Sequence, residues 1–347
     1  MDGKTVNPVS IPSARHFFVV NPACFDSRQK MEGVTASIHR FFNDSGSSSL
    51  KASSDYAVHV SRFPRDAIGA IRRFANAVPS GVPLRVYAVG GDGILFDCLN
   101  GVMGLPNVEL GIMPYGKEND FCCVFREKDR NVFNSLERQV RAPSVPIDVL
   151  HCGSSYALSR CLIGLEPFSN PSIKAMRRYI FMDRIMPAFS RILSVNFMCL
   201  VGAMNFSTIK QHYNVWVDDV NLSGLHILIH IMNSPWYNGN IYHPNTDPSD
   251  GYFDVVATGD LSLLEMIKAA NNYVKALRIA EASDDCMAGE HEKMLIHHRA
   301  KKALISSTSP LIFNLDGEIF YDKYLTVEIM PAAVRIIVPN HETGART

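Results

Sequence analysis

Tyr87-Ala88-Val89-Gly90-Gly91-Asp92-Gly93-Ile94, followed about twenty residues later by Leu110-Gly111-Ile112-Met113-Pro114-Tyr115-Gly116-Lys117-Glu118-Asn119-Asp120-Phe121, is the part of the chain from which the fold can be read. The run entering the glycines, 84–89, has the length and the β-branched and aromatic content of a buried strand, and 95–102 reads as a helix. A strand, a glycine turn and a helix N-terminus in that order gather bare backbone N–H groups where the helix dipole favours an anion. The carboxylate inside the turn, Asp92, is of the kind that meets a metal ion. Gly-Gly-Asp-Gly also serves as a plain tight turn in which glycine supplies positive φ. The strand before it and the helix after it favour the phosphate-binding use.

Outward from this stretch, 16 to about 142 alternates strand and helix in the manner of an open, mostly parallel α/β sheet. Strands are expected at 17–21, 56–60, 85–89 and 108–113, and a helix at 27–42 leads into a Ser-rich loop over 43–54. Residues 65–77 form a second helix, with apolar positions at 67, 68, 71, 74, 75 and 78. Residues 1–15 read as a flexible tail. After Ala142-Pro143-Ser144-Val145-Pro146 the texture changes to short strand-like runs at 147–150, 155–163, 214–217, 224–232, 251–258 and 311–315, as in an antiparallel β-sandwich. Helical stretches at 172–204 and 261–279 interrupt them. The expected fold class is therefore α/β plus β: an N-terminal open α/β domain and a C-terminal antiparallel β-sandwich domain.

Composition narrows the possible partners. With 347 residues and 47% hydrophobic content the chain has ample core for two domains or one large one. Thirty-four basic residues balance thirty-four acidic ones, so no global field draws it to nucleic acid or to an anionic membrane, and any membrane contact must be local. The eight cysteines, Cys24, Cys98, Cys122, Cys123, Cys152, Cys161, Cys199 and Cys286, contain no Cys-x-x-Cys pair and read as buried thiols of a reducing compartment. Residues 1–15 lack the apolar core of a secretion signal, and the longest apolar run, 192–204, is thirteen residues with Asn196 inside it, too short to span a bilayer. The expected location is cytoplasmic, with peripheral membrane association if the chain meets lipid at all.

Gly90-Gly91-Asp92-Gly93 with Asn100-Gly101, then Pro114-Tyr115-Gly116 leading to Asn119-Asp120-Phe121, resembles the catalytic domain of the diacylglycerol kinase and sphingosine kinase family of lipid kinases. Phe17-Phe18-Val19-Val20-Asn21-Pro22 is similar to that family's first strand and Asn-Pro turn, and Ser61-Arg62 with Asp66-Ala67 to its second nucleotide-contacting segment. Ser249-Asp250-Gly251-Tyr252-Phe253-Asp254-Val255 and Leu315-Asp316-Gly317-Glu318 are similar to its two Asp-Gly motifs. Six motifs in order over roughly 330 residues are specific together, although no single one would suffice.

The resemblance implies a nucleotide-binding α/β domain over 16–142, rejoined by about 331–340, and a larger β-rich lipid-substrate domain over 143–330. It also implies ATP and Mg2+ as cofactors and a membrane lipid as substrate. Backbone amides of Gly90, Gly91 and Gly93 would hold phosphate, with Gly116, Lys117, Asn119 and Asp120 in the second loop. Asp92 would act at the reacting centre through magnesium or directly on the acceptor hydroxyl. The aspartate matching Asp316 is a candidate base, with Glu318 as a metal or supporting partner, although Asp-Gly is also a strong hairpin turn. Asn21 and Ser61 would touch nucleotide from neighbouring strand ends, or else open a turn and cap a helix.

Asp250 stands where relatives hold a structural magnesium, with Asp247 and Asp254 near enough to assist; a charged loop before a strand is the other reading. Three features depart from the family pattern. Lys117-Glu118 replaces a hydroxyl and a small residue, Ala23-Cys24-Phe25 stands where Ser-Gly is usual, and Ile94 follows Gly93 where Thr is common. His297-His298, with His291, reads as a solvated helix face rather than a zinc site. Arg177, Arg184 and Arg191 recur every seven residues as a basic stripe that could face anionic headgroups.

The expected function is an ATP- and magnesium-dependent lipid kinase acting most naturally on diacylglycerol. The alternatives are a catalytically degenerate lipid- or nucleotide-binding regulator and a soluble-substrate kinase such as NAD kinase, which also uses Gly-Gly-Asp-Gly. No nucleic-acid partner is expected, and a homodimer through an exposed strand is possible.

Overall fold

Four buried or half-buried strands, each followed by a helix or a short helical turn, build the first part of the chain. They are β1 (Arg15–Val20), α1 (Arg28–Asp44), β2 (Tyr56–Val60), α2 (Asp66–Ala77), β3 (Leu84–Gly90), α3 (Asp92–Val102), β4 (Val108–Pro114), α4 (Arg130–Asn134) and α5 (Leu136–Arg141). The computed structural model describes residues 14–44, 56–116, 119–125, 130–165, 167, 209–237, 240–241, 245–262, 264–265 and 295–339. The remaining strands are β5 (Ser144–Cys152), β6 (Ser155–Ala157), β7 (Arg160–Gly164), β8 (Gln211–Val217), β9 (Val220–Asn221), β10 (Gly224–His226), β11 (Leu228–Met232), β12 (Trp236–Tyr237), β13 (Asn240–Ile241), β14 (Phe253–Thr258), β15 (Leu295–Ala300), β16 (Lys302–Leu315) and β17 (Glu318–Ile337). The chain divides into a unit of Met1–Ile147 with Ala332–Thr347 and a unit of Asp148–Pro331.

In the first unit β2, β1, β3 and β4 pair in parallel in that order, with Arg335–Ile337 of β17 joining β4 in parallel at Glu109–Gly111. Parallel sheets are covered on both faces, which is why β3 is buried at every position and shows no polar alternation. Alternate side chains take opposite sides. Phe18, Val20, Tyr87, Val89 and Met113 pack with Ile38 and Phe42 of α1 and Val140 of α5. Phe17, on the other face, stacks on Phe74 of α2 at 4.5 Å between ring centroids. Gly111 is glycine for space: a Cβ there would lie 2.5 Å from Cδ1 of Tyr87. Beneath that ring, His16 is buried with its Nδ1 3.0 Å from the Tyr87 hydroxyl.

The second unit is antiparallel. β15, β14, β11, β7 and β16 follow one another across the sheet. β16 pairs with β8 over Ala303–Ser307 and with β7 over Phe313–Leu315, and its pairing with β17 changes register between Ser306 and Leu311. Ser306-Ser307-Thr308-Ser309-Pro310 has turn composition, so the sequence placed a strand at 311–315 only; the chain uses these residues as a bulge within one long strand.

Other boundaries moved for identifiable reasons. Ala14 is buried and β1 begins at Arg15, which shortens the expected tail. The run 155–163 is two strands, because the N–H groups of Leu158 and Ser159 turn to the Asp316 carboxylate instead of a ladder. The run 224–232 breaks where Ile227 and Leu228 donate to Thr258 Oγ1. His297 and His298 lie on the edge strand β15, correcting the helix expected there: Val256 pairs with His297 and Val255 with His298. The basic stripe of Arg177, Arg184 and Arg191 lies outside the described residues, as do His291 and nearly all of 261–279.

Candidate functional site

In the first unit the chain goes to one side after β1 and to the other after β2, so the strand order reverses between β1 and β3. In open α/β sheets that reversal opens a crevice at the carboxyl ends of the strands. The four loops leaving those ends are stitched to one another. Asn21 N–H donates to Val89 O (3.0 Å), Ser61 N–H to Val20 O (2.9 Å) and Gly116 N–H to Gly90 O (3.0 Å).

α3 starts at Asp92, three residues earlier than its apolar pattern indicates, with Gly91 as an extended N-cap that offers no side chain. Its first N–H groups therefore lack the usual capping oxygen and lie where an anion is favoured. None of Gly90, Gly91 and Gly93 has positive φ, so the positive-φ reading of this turn does not hold. Gly90 is there because the preceding loop approaches it: a Cβ would fall 2.8 Å from Cγ2 of Ile94 and 3.2 Å from both Asn21 Cβ and Cys24 Sγ.

Asp92 Oδ2 accepts the N–H of Asp120 at 3.0 Å, and Asn119 Nδ2 donates to Gly116 O at 2.6 Å. Gly90, Gly91, Asp92, Gly93, Gly116, Asn119 and Asp120 are thus one connected set, with the side chains of Asn119 and Asp120 buried and Asp92 half-buried. Lys117 and Glu118 lie outside the described residues.

Asn21 and Ser61 sit at the expected strand ends with local jobs. Asn21 Oδ1 accepts from Ala23 N–H (3.0 Å) and opens the 3-10 turn Pro22–Cys24. Ser61 Oγ donates to Phe63 O at 3.2 Å and does not cap α2. That position is taken by Arg65, a non-glycine residue at φ 67 whose N–H is received by Asp97 Oδ2 at 2.9 Å. Asp97 went unnoticed in the sequence, although a carboxylate inside Leu95-Phe96-Asp97-Cys98-Leu99 was the available signal. Cys24, read both as a buried thiol and as a departure from the pattern, is half-buried; burial pushes its pKa up, and the Asp92 charge acts in the same sense.

The other predicted residues belong to the second unit. Asp316 and Gly317 form the β16–β17 hairpin turn, at φ 47 and 99, and Asn314 Oδ1 accepts the Gly317 N–H at 2.7 Å. Positive φ at both central residues is the hairpin geometry that Asp-Gly favours. The buried Asp316 carboxylate then receives three main-chain donors: Leu158 N–H at 2.6 Å, Ser159 N–H at 3.1 Å and Arg160 N–H at 2.9 Å. Burial raises its pKa, while Arg160 and the three amides pull the other way. With both oxygens turned to the 158–160 segment, Asp316 is built as an anchor of that turn rather than as an open base. Glu318, half-buried at the start of β17, has no hydrogen-bonded or ionic partner among the described residues.

Asp250 Oδ1 accepts the Tyr252 N–H at 2.9 Å and Oδ2 meets Arg299 Nη2 at 2.5 Å. Asp247 receives the N–H and hydroxyl of Ser249, and Asp254 receives Thr246 and His297. Among the described residues no three His, Cys, Asp or Glu side chains are grouped to hold a metal ion. The donors pointed at these oxygens do not fit a protein-held cation at Asp250. Asp92 fits a different demand, since magnesium carried by a nucleotide needs only one or two carboxylates and takes the rest from phosphate and water.

Residues 17–167 match the family described as the diacylglycerol kinase catalytic domain. A Staphylococcus haemolyticus protein named "Putative lipid kinase" is 25% identical over 285 residues, 81% of this chain and 85% of its own. A Shewanella frigidimarina protein named "Probable lipid kinase YegS-like" is 24% identical over 263 residues, 74% of this chain and 76% of its own. The crystal structure of a diacylglycerol kinase from Bacillus anthracis aligns over 95% of this chain and 98% of its own, with a TM-score of 0.62 at 17% identity. At that identity the likeness speaks for the fold.

Proposed function

We propose that this chain, whose residues 17–167 match the family described as the diacylglycerol kinase catalytic domain, transfers the γ-phosphate of ATP to a lipid hydroxyl, with diacylglycerol the first acceptor to test. The observation that carries the reading is the hydrogen bond from Asp120 N–H to Asp92 Oδ2, which fixes a carboxylate at the uncapped N-terminus of α3. Phosphoryl transfer needs little covalent help; it needs phosphates held and the charge at the reacting atoms matched. The α3 amides supply the holding, the Gly116 N–H to Gly90 O bond keeps the two glycine loops together, and the tether on Asp92 limits the freedom its carboxylate would otherwise have to lose. A nucleotide-borne magnesium ion, when bound, neutralises charge on the phosphates, and Asp92 is the residue that would hold it.

In the second unit Asp316 acts as a positioning residue for the 158–160 turn. Among the described residues no helix is long and apolar enough to cross a membrane.

The test is transfer of labelled γ-phosphate from ATP with magnesium to a panel of lipids in mixed micelles, beside NAD and an Asp92→Asn variant. Label in one lipid class, lost in the variant, is the expected result. Label in NAD would move the protein to the soluble-substrate kinases. A folded protein that transfers label to nothing would instead point to a nucleotide- or lipid-binding regulator without turnover.

A further inference from the structure

The loop entering β14 concentrates negative charge. Asp247, Asp250 and Asp254 lie within eight residues, and buried Asp148 reaches the same loop by accepting the Gly251 N–H at 2.6 Å. Burial first, and the like charges of Asp247 and Asp254 after it, disfavour the ionised form of Asp250. Such a loop needs a counter-ion, and its neighbour along the sheet supplies one. On β15, His297 and Arg299 alternate toward it, with Lys301 following the strand. Arg299 pairs in register with Asp254, His297 Nε2 sits 2.9 Å from Asp254 Oδ1, and Arg299 Nη2 sits 2.5 Å from Asp250 Oδ2. The Arg299 guanidinium also lies over the Tyr252 ring at 4.5 Å, and Lys301 Nζ is 4.7 Å from the same ring. The aromatic face holds the cation from one side and the carboxylate holds it from the other.

We propose that Arg299 is the built-in counter-ion of the Asp247–Asp254 loop, occupying at Asp250 the place of a divalent cation, so that the fold of this unit does not depend on a bound metal. The reason lies in the donors. Both Asp250 oxygens are engaged, by Tyr252 N–H and by Arg299, Asp247 Oδ1 receives Ser249, and the two Asp254 oxygens receive Thr246 and His297. A hard cation binds through several oxygens at once, and here five of these six are already directed at hydrogen-bond donors. The proposal concerns the stability of this unit and stands apart from the kinase reading.

Thermal unfolding without nucleotide, at matched ionic strength, in EDTA, in Mg2+ and in Ca2+ tests it. The wild-type midpoint is expected to be the same in all three, and a midpoint that falls in EDTA and returns with Mg2+ overturns the proposal. Arg299→Ala is expected to lower the midpoint in EDTA and to regain part of the loss in Mg2+ or Ca2+, because the vacated carboxylates can then take a metal. Arg299→Lys keeps a cation and should remain indifferent to metal. An Arg299→Ala protein that is weakened but regains nothing shows that Arg299 acts only by packing on Tyr252, which also overturns the proposal. Should Arg299→Ala not fold, Asp250→Asn/Arg299→Ala is the companion. It should recover the fold if unmatched charge was the cause, and its failure to do so counts against the counter-ion.

Discussion

Asp92 and Asp120, twenty-eight residues apart in sequence, are joined by a 3.0 Å hydrogen bond from the Asp120 main-chain N–H to Asp92 Oδ2. That contact ties the loop after β4 to the first turn of α3 and makes two separate glycine loops into one site. Its two ends can be tested apart. Asp92→Asn keeps an acceptor for the Asp120 N–H and loses only the charge. The variant should remain folded and lose phosphate transfer by about 10²-fold or more, the scale of removing one preorganised electrostatic group. Asp92→Ala should in addition lower stability by about 1–3 kcal/mol, since a part-buried N–H loses its partner. Transfer assays and urea unfolding on the same two variants separate the losses, and an Asn variant with full activity would sink the assignment.

Asp316 should behave as a structural anchor. Three main-chain donors converge on its buried carboxylate, and an amide in its place would turn an NH2 toward one of them. Asp316→Asn is therefore expected to destabilise by about 1–3 kcal/mol, with Asp316→Ala at the upper end. A free base would give the opposite signature, with activity lost and the urea midpoint unmoved.

His16 predicts an acid limb in stability. Burial, with the nearby Arg85 charge, depresses its pKa from 6.5 to about 3. The folded state therefore refuses a proton that the unfolded chain accepts below 6.5, and stability falls as pH drops from 6.5 toward 3. The loss has an upper bound of about 5 kcal/mol from this residue, at 1.36 kcal/mol for each unit of displacement. His16→Phe, which keeps a ring between Tyr87 and Phe42, should flatten the melting temperature against pH over that range. An unchanged slope would place the acid sensitivity elsewhere.

The sequence determined the local grammar of the first unit. β2 runs over 56–60 as read, β3 is continuous and apolar, and the glycine turn opens a helix because each depends on side-chain period and turn chemistry within a few residues. It also supplied the kinship, carried by ordered motifs. What it could not supply were the partners of its polar groups. Asp316 reads equally well as a base or as a hairpin residue until Leu158, Ser159 and Arg160, more than 150 residues away, are seen to donate to it. Asp250 reads as a metal ligand until β15 brings Arg299 against it, and His297 reads as helical until the register with β14 makes it a strand residue. Gly90 is seen to lack room for a side chain, against Asn21 and Cys24, only when β1 and β3 lie side by side. Periodicity and turn propensity are short-range properties, written in neighbouring residues. The protonation, engagement or openness of a carboxylate depends on donors within about 3 Å in space, and only the folded chain decides which those are.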